Sequence, residues 1–226
     1  MAEATVAHAY IYLSAGEVRF LNAAVERLIP TDDLGAGGRD AGVTVFIDGQ
    51  LASTWGSHGR NYRMGPWREG TPQQGYQSPL TPQEIYRAAI REIDNHCRKQ
   101  FNKIFAALSG DQQDELLRAM EAGKLELESI PSKVFFGLLL RNTMEGYFAD
   151  PMYGGNRDKV GWRMLGFPGI ADVHYQDRSR MHDVPYRVEP VSILDIETKR
   201  VSVDAQGYAK HVKLNTNVKG GGNGGH

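Results

Sequence analysis

Cysteine is nearly absent: Cys97 is the only one among 226 residues. That excludes an internal disulfide and a zinc site built from thiolates. No stretch approaches the roughly 18 apolar residues that a membrane-spanning helix requires. Neither sign of charge dominates, with 26 Lys and Arg against 27 Asp and Glu. The chain as a whole therefore offers no electrostatic attraction to nucleic acid or to an anionic membrane surface. Its seven histidines show no His-x-x-x-His pair with a nearby carboxylate. There is no Gly-x-Ser-x-Gly elbow, no P-loop, no Gly-x-Gly-x-x-Gly after a strand and no internal repeat. The opening MAEATVAHAYIYLS lacks the basic and apolar regions of a signal peptide.

What is present reads as helix. Ser14 and Glu17 form a capping box ahead of Val18, Leu21, Val25 and Leu28, which recur on one face. Residues Val43 to Ala52 carry Val43, Phe46, Ile47 and Leu51 at helical spacing. The β-branched VTVF makes a strand a competitor there, and helix is the favoured reading. Thr81 and Glu84 form a second box with Pro82 at the first helical position. The apolar period from Ile90 through Cys97 to Leu108 predicts a helix reaching about Leu108. Ser109 and Gln112 open a fourth helix, which Gly123 stops. SKVFFGLLLRNTMEGYFAD is the most apolar segment. Phe136, Leu140, Met144 and Tyr147/Phe148 read as its core face, and Phe135, Leu138 and Leu139 widen the apolar surface nearly all round. That pattern predicts a central, buried helix.

Two segments resist this period. Residues 53–80 are rich in Gly, Pro, Arg and aromatics, and loops of that length are disordered or functional. Trp55, Tyr62, Trp67 and Tyr76 favour a structured arm, because disordered segments are poor in large aromatics. The second is DPMYGGNRDKVGWRMLGFPG, residues 150–169. It reads as a tight turn in which Gly154 and Gly155 take positive φ and Asn156 or Asp158 caps a short helix through Leu165. Beyond Gly169 the alternating, proline-containing sequence reads as an extended tail, with one short hairpin around Asp204 to Gly207 and a flexible glycine-rich end. The fold class is thus mainly α: a single-domain irregular helical bundle with a long ordered loop arm and an extended C-terminal tail. Its divisions are an N-terminal extension 1–14, a helical domain 15–169 and a tail 170–226.

Candidate chemistry is weak throughout. His174, Asp177, His182 and Asp183 cluster in a predicted loop, where such density is common by chance. Cys97 lies in an apolar stripe and reads as a core thiol. Glu145 and Asp150 read as solvated or capping carboxylates rather than a general acid or base. The glycine-rich turn with its cations fits no phosphate-binding motif.

Three long blocks, in order, carry a resemblance: VERLIPTDDLGAGGRDAGV with FIDGQL, RMGPWREGTPQQGYQSPLTPQEIYR, and EGYFADPMYGGNRDKVGWRMLGFPG. Together, over about Ala15 to Pro168, the chain resembles the gluconate 2-dehydrogenase subunit 3 family. The resemblance implies a non-catalytic small (gamma) subunit with no catalytic, metal or cofactor-binding residues of its own. It implies as partners a large subunit carrying FAD and the substrate site, and a multihaem cytochrome c subunit. It also implies periplasmic placement at the inner membrane and a role in folding and exporting the large subunit. Members of the family usually carry a twin-arginine leader, and no Arg-Arg precedes AEATVAHAY here. The expectation is either a mature N-terminus behind a starting Met or a cytosolic variant. Trp, Tyr and Arg dominate interface hot spots. The expected partner interface is therefore Trp55, Tyr62, Arg63, Trp67, Arg68 and Tyr76 in the arm, with Tyr153, Asn156, Arg157 and Trp162 in the turn. The competing readings are a stand-alone small enzyme and a cytosolic chaperone for a flavoprotein.

Overall fold

A computed structural model describes residues 9–59, 62–68, 70–71, 73–74, 77–170, 187–202, 210 and 212. Within them the chain forms α1 (Ala15–Leu28), α2 (Val43–Ala52), α3 (Pro82–Phe101), α4 (Gly110–Glu121), α5 (Ser132–Phe148), α6 (Val160–Leu165) and α7 (Ile193–Glu197). No strand occurs among the described residues, only isolated bridges Asp32–Gly35 and Gly169–Val191. The mainly α reading holds, and Val43–Ala52 is helix rather than strand. No helix among the described residues is long and apolar enough to cross a membrane.

The capping boxes form as their sequences dictate. Ser14, Thr81 and Ser109 each accept from the backbone N–H three residues on, while Glu17, Glu84 and Gln112 bond back to the cap. Each such cap is worth about 1 kcal/mol. They aim α1, α3 and α4 at one core, in which Phe20, Phe105, Phe135 and Tyr86 are fully buried. The Phe20 and Phe105 rings lie 4.6 Å apart, and Tyr86 meets Phe135 edge-on at 5.4 Å. Tyr86 donates its hydroxyl to Asn142 Oδ1 at 2.8 Å, and burial raises its pKa. Cys97 sits in this core, its thiol pushed up to about 11 by burial, with Asp94 adding to the effect.

Three expectations need correction. The third helix stops at Phe101 because Asn102 turns left-handed at φ 54°. Asp94 then accepts from Phe105 N–H at 2.9 Å, which returns the chain to the core as a 3-10 turn, Phe105–Ala107. The apolar period outlasts the helix because Phe105 and Leu108 still face inward. The core face of α5 is also rotated. Phe135, Phe136, Leu139, Thr143, Gly146 and Tyr147 are buried, whereas Leu140 and Met144 are exposed. The tail, finally, is not wholly extended, since α7 is a helix with its own box, Ser192 and Asp195. The predicted hairpin around Asp204 to Gly207 lies outside the described residues.

The N-terminal segment is pinned by side chains of α2 and α3. Asp48, buried on α2, accepts from the backbone N–H groups of Ile11, Tyr12 and Leu13 at 2.7, 2.9 and 2.8 Å. Arg87 stacks over the Tyr12 ring at 4.5 Å and pairs with Glu17.

Candidate partner interface

The arm leaves α2 through a turn at Ser53, whose Oγ donates to Gln50 O and accepts from Trp55 N–H. Gln83, in the first turn of α3, ties the arm's base down: its backbone N–H donates to Gly56 O and its side chain to Leu51 O. Arg63 reaches back to Pro79 O and lies 3.7 Å from Glu84. The arm is thereby held over α3 and α5, and a groove of about 570 Å³ opens between them.

Trp55, Tyr62 and Trp67 form the aromatic wall of this groove, and all three are exposed. Its floor is apolar: Leu80 and Ile85 from one side, Val134 and Leu138 of α5 from the other. Arg63, Lys133 and Arg141 supply positive charge at the lining. His58, also in the lining, has its pKa lowered by burial and by Arg63. Arg68 is exposed but does not line the groove. Tyr76 lies outside the described residues.

The glycine-rich turn is a different kind of place. Asp150 caps a 3-10 turn, Pro151–Tyr153, that leaves Tyr153 exposed. Arg157 is exposed too, its backbone N–H donating to Ala41 O and its guanidinium to Asp40 O. Asn156 and Trp162 must be removed from the surface set. Asn156 is fully buried, donating to Ala149 O and accepting from Gly161 N–H, at 2.8 and 2.9 Å. Trp162 is buried with its indole N–H on Phe148 O at 2.8 Å and its ring edge-on to Phe167. Both are internal fasteners of the C-terminal end of α5. Gly155 makes this possible, since a Cβ there would lie 2.1 Å from Gly146 O. Of the two glycines expected to take positive φ only Gly154 does; Asn156, Asp158 and Lys159 take the others.

Among the described residues, the arm's groove and the cavity beside the turn are lined by different side chains. The groove uses the Lys133–Arg141 part of α5, while the turn begins beyond Phe148 at the helix's other end. A 17-residue helix is about 25 Å long. The sequence reading also missed the groove's α5 wall, Lys133, Gly137 and Arg141, and the α7 cover on the turn. Ile193 N–H donates to Asp150 Oδ2, and Lys159 pairs with Asp195 at 2.9 Å. The signal for α7 was Ser192-x-x-Asp195, a capping box in VSILDIE. Among the described residues no group of three or more His, Cys, Asp or Glu is placed to hold a metal. His174, Asp177, His182 and Asp183 lie outside them.

Fold and groove together define a class: a mainly helical protein with aromatic and cationic side chains gathered at a surface groove. More narrowly, the chain belongs to the gluconate 2-dehydrogenase subunit 3 family, whose model matches residues 15–169, and so to the subunits of an oxidoreductase complex. No curated protein and no solved structure matches it.

Proposed function

We propose that the chain is the non-catalytic small subunit of a heterotrimeric FAD-dependent dehydrogenase of the gluconate 2-dehydrogenase type, acting on a sugar or sugar acid. In this reading the large subunit carries the FAD and does the oxidation. A multihaem cytochrome c subunit takes the electrons, and the chain meets the inner membrane only through the complex, on the periplasmic side. The chain's work is to stabilise the large subunit and accompany it through twin-arginine export. The observation that carries the reading is the family match over residues 15–169, which takes in both the arm and the glycine-rich turn. Its physical support is the arm itself, where exposed Trp55, Tyr62 and Trp67 stand beside arginines. These are the residue types that dominate interface energetics.

The test is purification of the chain alone and with its large subunit. Alone, it is expected to show no flavin spectrum and no sugar-dependent dye reduction. Together, the two are expected to form a stable equimolar complex, and cells lacking the chain are expected to hold less exported large subunit. A flavin spectrum or turnover from the isolated chain would overturn the reading.

A further inference from the structure

On the side of α5 that the bundle leaves open lie Lys133, Gly137, Leu140, Arg141 and Met144, all exposed and all on one helical face. A helix apolar on most sides is ordinarily covered on most sides, and the described residues cover only one. Gly137 is the sharper observation. A Cβ there would meet no atom within 4 Å, and the residue is not in the left-handed region. Neither packing nor backbone geometry therefore calls for glycine, although glycine is among the weakest helix formers. Gly49 on α2 is equally open, but it lies outside the groove; at Gly137 the open space is the groove. The charge leans one way as well. Arg63, Lys133 and Arg141 line the groove and no described carboxylate does. The side chains of Lys133 and Arg141 make no hydrogen bond or ion pair among the described residues.

We infer that the groove receives a segment of the large dehydrogenase subunit in which carboxylates stand among apolar side chains. Its backbone passes close over Gly137, and its carboxylates meet Lys133 and Arg141. The inference rests on the small-subunit reading and adds to it the place and chemistry of the contact.

The experiment measures binding of the purified full-length chain to its large subunit by interferometry, at low and high salt. Gly137→Leu fills the groove with a better helix former. It is expected to keep or raise Tm while weakening binding at least about tenfold. The double variant Lys133→Glu/Arg141→Glu is expected to weaken binding by a similar factor and to flatten its salt dependence. Gly49→Leu is expected to bind within about twofold of wild type. Should Gly137→Leu misfold, Arg141→Gln, which removes charge without adding bulk, carries the same expectation of weakened binding. Wild-type affinity in both the leucine and the double glutamate variants would sink the groove assignment and leave the small-subunit reading standing. Equal losses at Gly49 and Gly137 would sink it too. So would a self-association of the isolated chain that Gly137→Leu abolishes, which puts a second copy in the groove. A wild-type chain that binds no large subunit brings down both readings.

Discussion

Asp48 shows how much one residue can hold. Its carboxylate takes three consecutive backbone N–H groups at 2.7 to 2.9 Å from a segment that belongs to no helix. The bond from Leu13 is buried and those from Ile11 and Tyr12 are part-buried, and a buried donor stripped of its acceptor costs its full desolvation. Asp48→Ala is therefore expected to lower the unfolding free energy by about 3 kcal/mol, read by urea denaturation. Amide exchange should quicken first at Ile11, Tyr12 and Leu13. A loss below about 1 kcal/mol would mean that the three amides find water instead. Nothing in the sequence announces this role, because an aspartate within VTVFIDGQLA reads as the polar face of a helix. Asn156 was equally hidden. A polar residue in a glycine-rich turn looks exposed, and only the approach of Gly155 to the backbone of α5 brings it inside.

At the scale of the element, the helices that announced themselves did so through their ends. Ser14, Thr81 and Ser109 with their partners three residues on are local chemistry, legible without any knowledge of the fold. The orientation of α5 was not. Phe136 and Leu140 look alike in a sequence, and a helix apolar on opposite flanks gives no single face to find. The same limit explains why Trp67 and Trp162, both read as partner contacts, are now separated. Trp162→Ala is expected to destabilise the chain by about 3–5 kcal/mol, since it empties a packed site and orphans Phe148 O. Trp67→Ala is expected to leave Tm nearly unchanged and to weaken complex formation by about 2 kcal/mol. Thermal melts and affinities of the two variants decide the matter, and the reverse pattern would return Trp162 to the surface set. The arm was legible as a structured segment, but its groove was not. That groove needs α5 to lie beneath it, a pairing of residues far apart in the chain.

For the molecule as a whole, the balance of charge conceals a consistent dependence on pH. The guanidinium of Arg27 beside Asp114 holds that carboxyl below the usual range. Burial pushes Glu17 and Asp195 upward, but hydrogen bonds outweigh it. Glu17 accepts from Ser14 and Arg87, Asp195 from Lys159 and Ser192, and both end lowered. Glu84 is lowered by its bonds from Thr81. A carboxyl whose folded pKa lies below its unfolded one binds its proton more readily in the unfolded chain. Its stabilisation is complete above the unfolded pKa, near 4, and drains away as pH falls through the folded value. Urea midpoints are thus expected to change little between about pH 7 and pH 8 and to drop steeply below about pH 4. In Asp114→Asn that drop is expected to be shallower. An unchanged acid limb in this variant would show that the Arg27 pair contributes nothing to it.

The family match ends at Gly169, yet the chain's own bonds do not respect that limit. Around the bridge at Gly169, Ile170 N–H donates to Val191 O and Val191 N–H to Pro168 O, Ile193 leans on Asp150, and Asp195 neutralises Lys159. A fragment cut at Gly169 would keep α1 to α6 and still leave Asp150 and Lys159 without their counterparts, at the end of α5 where Trp162 is fastened. The stretch 187–200 works as a keystone. It is short and late in the sequence, and it locks an arch that the earlier helices only lean together.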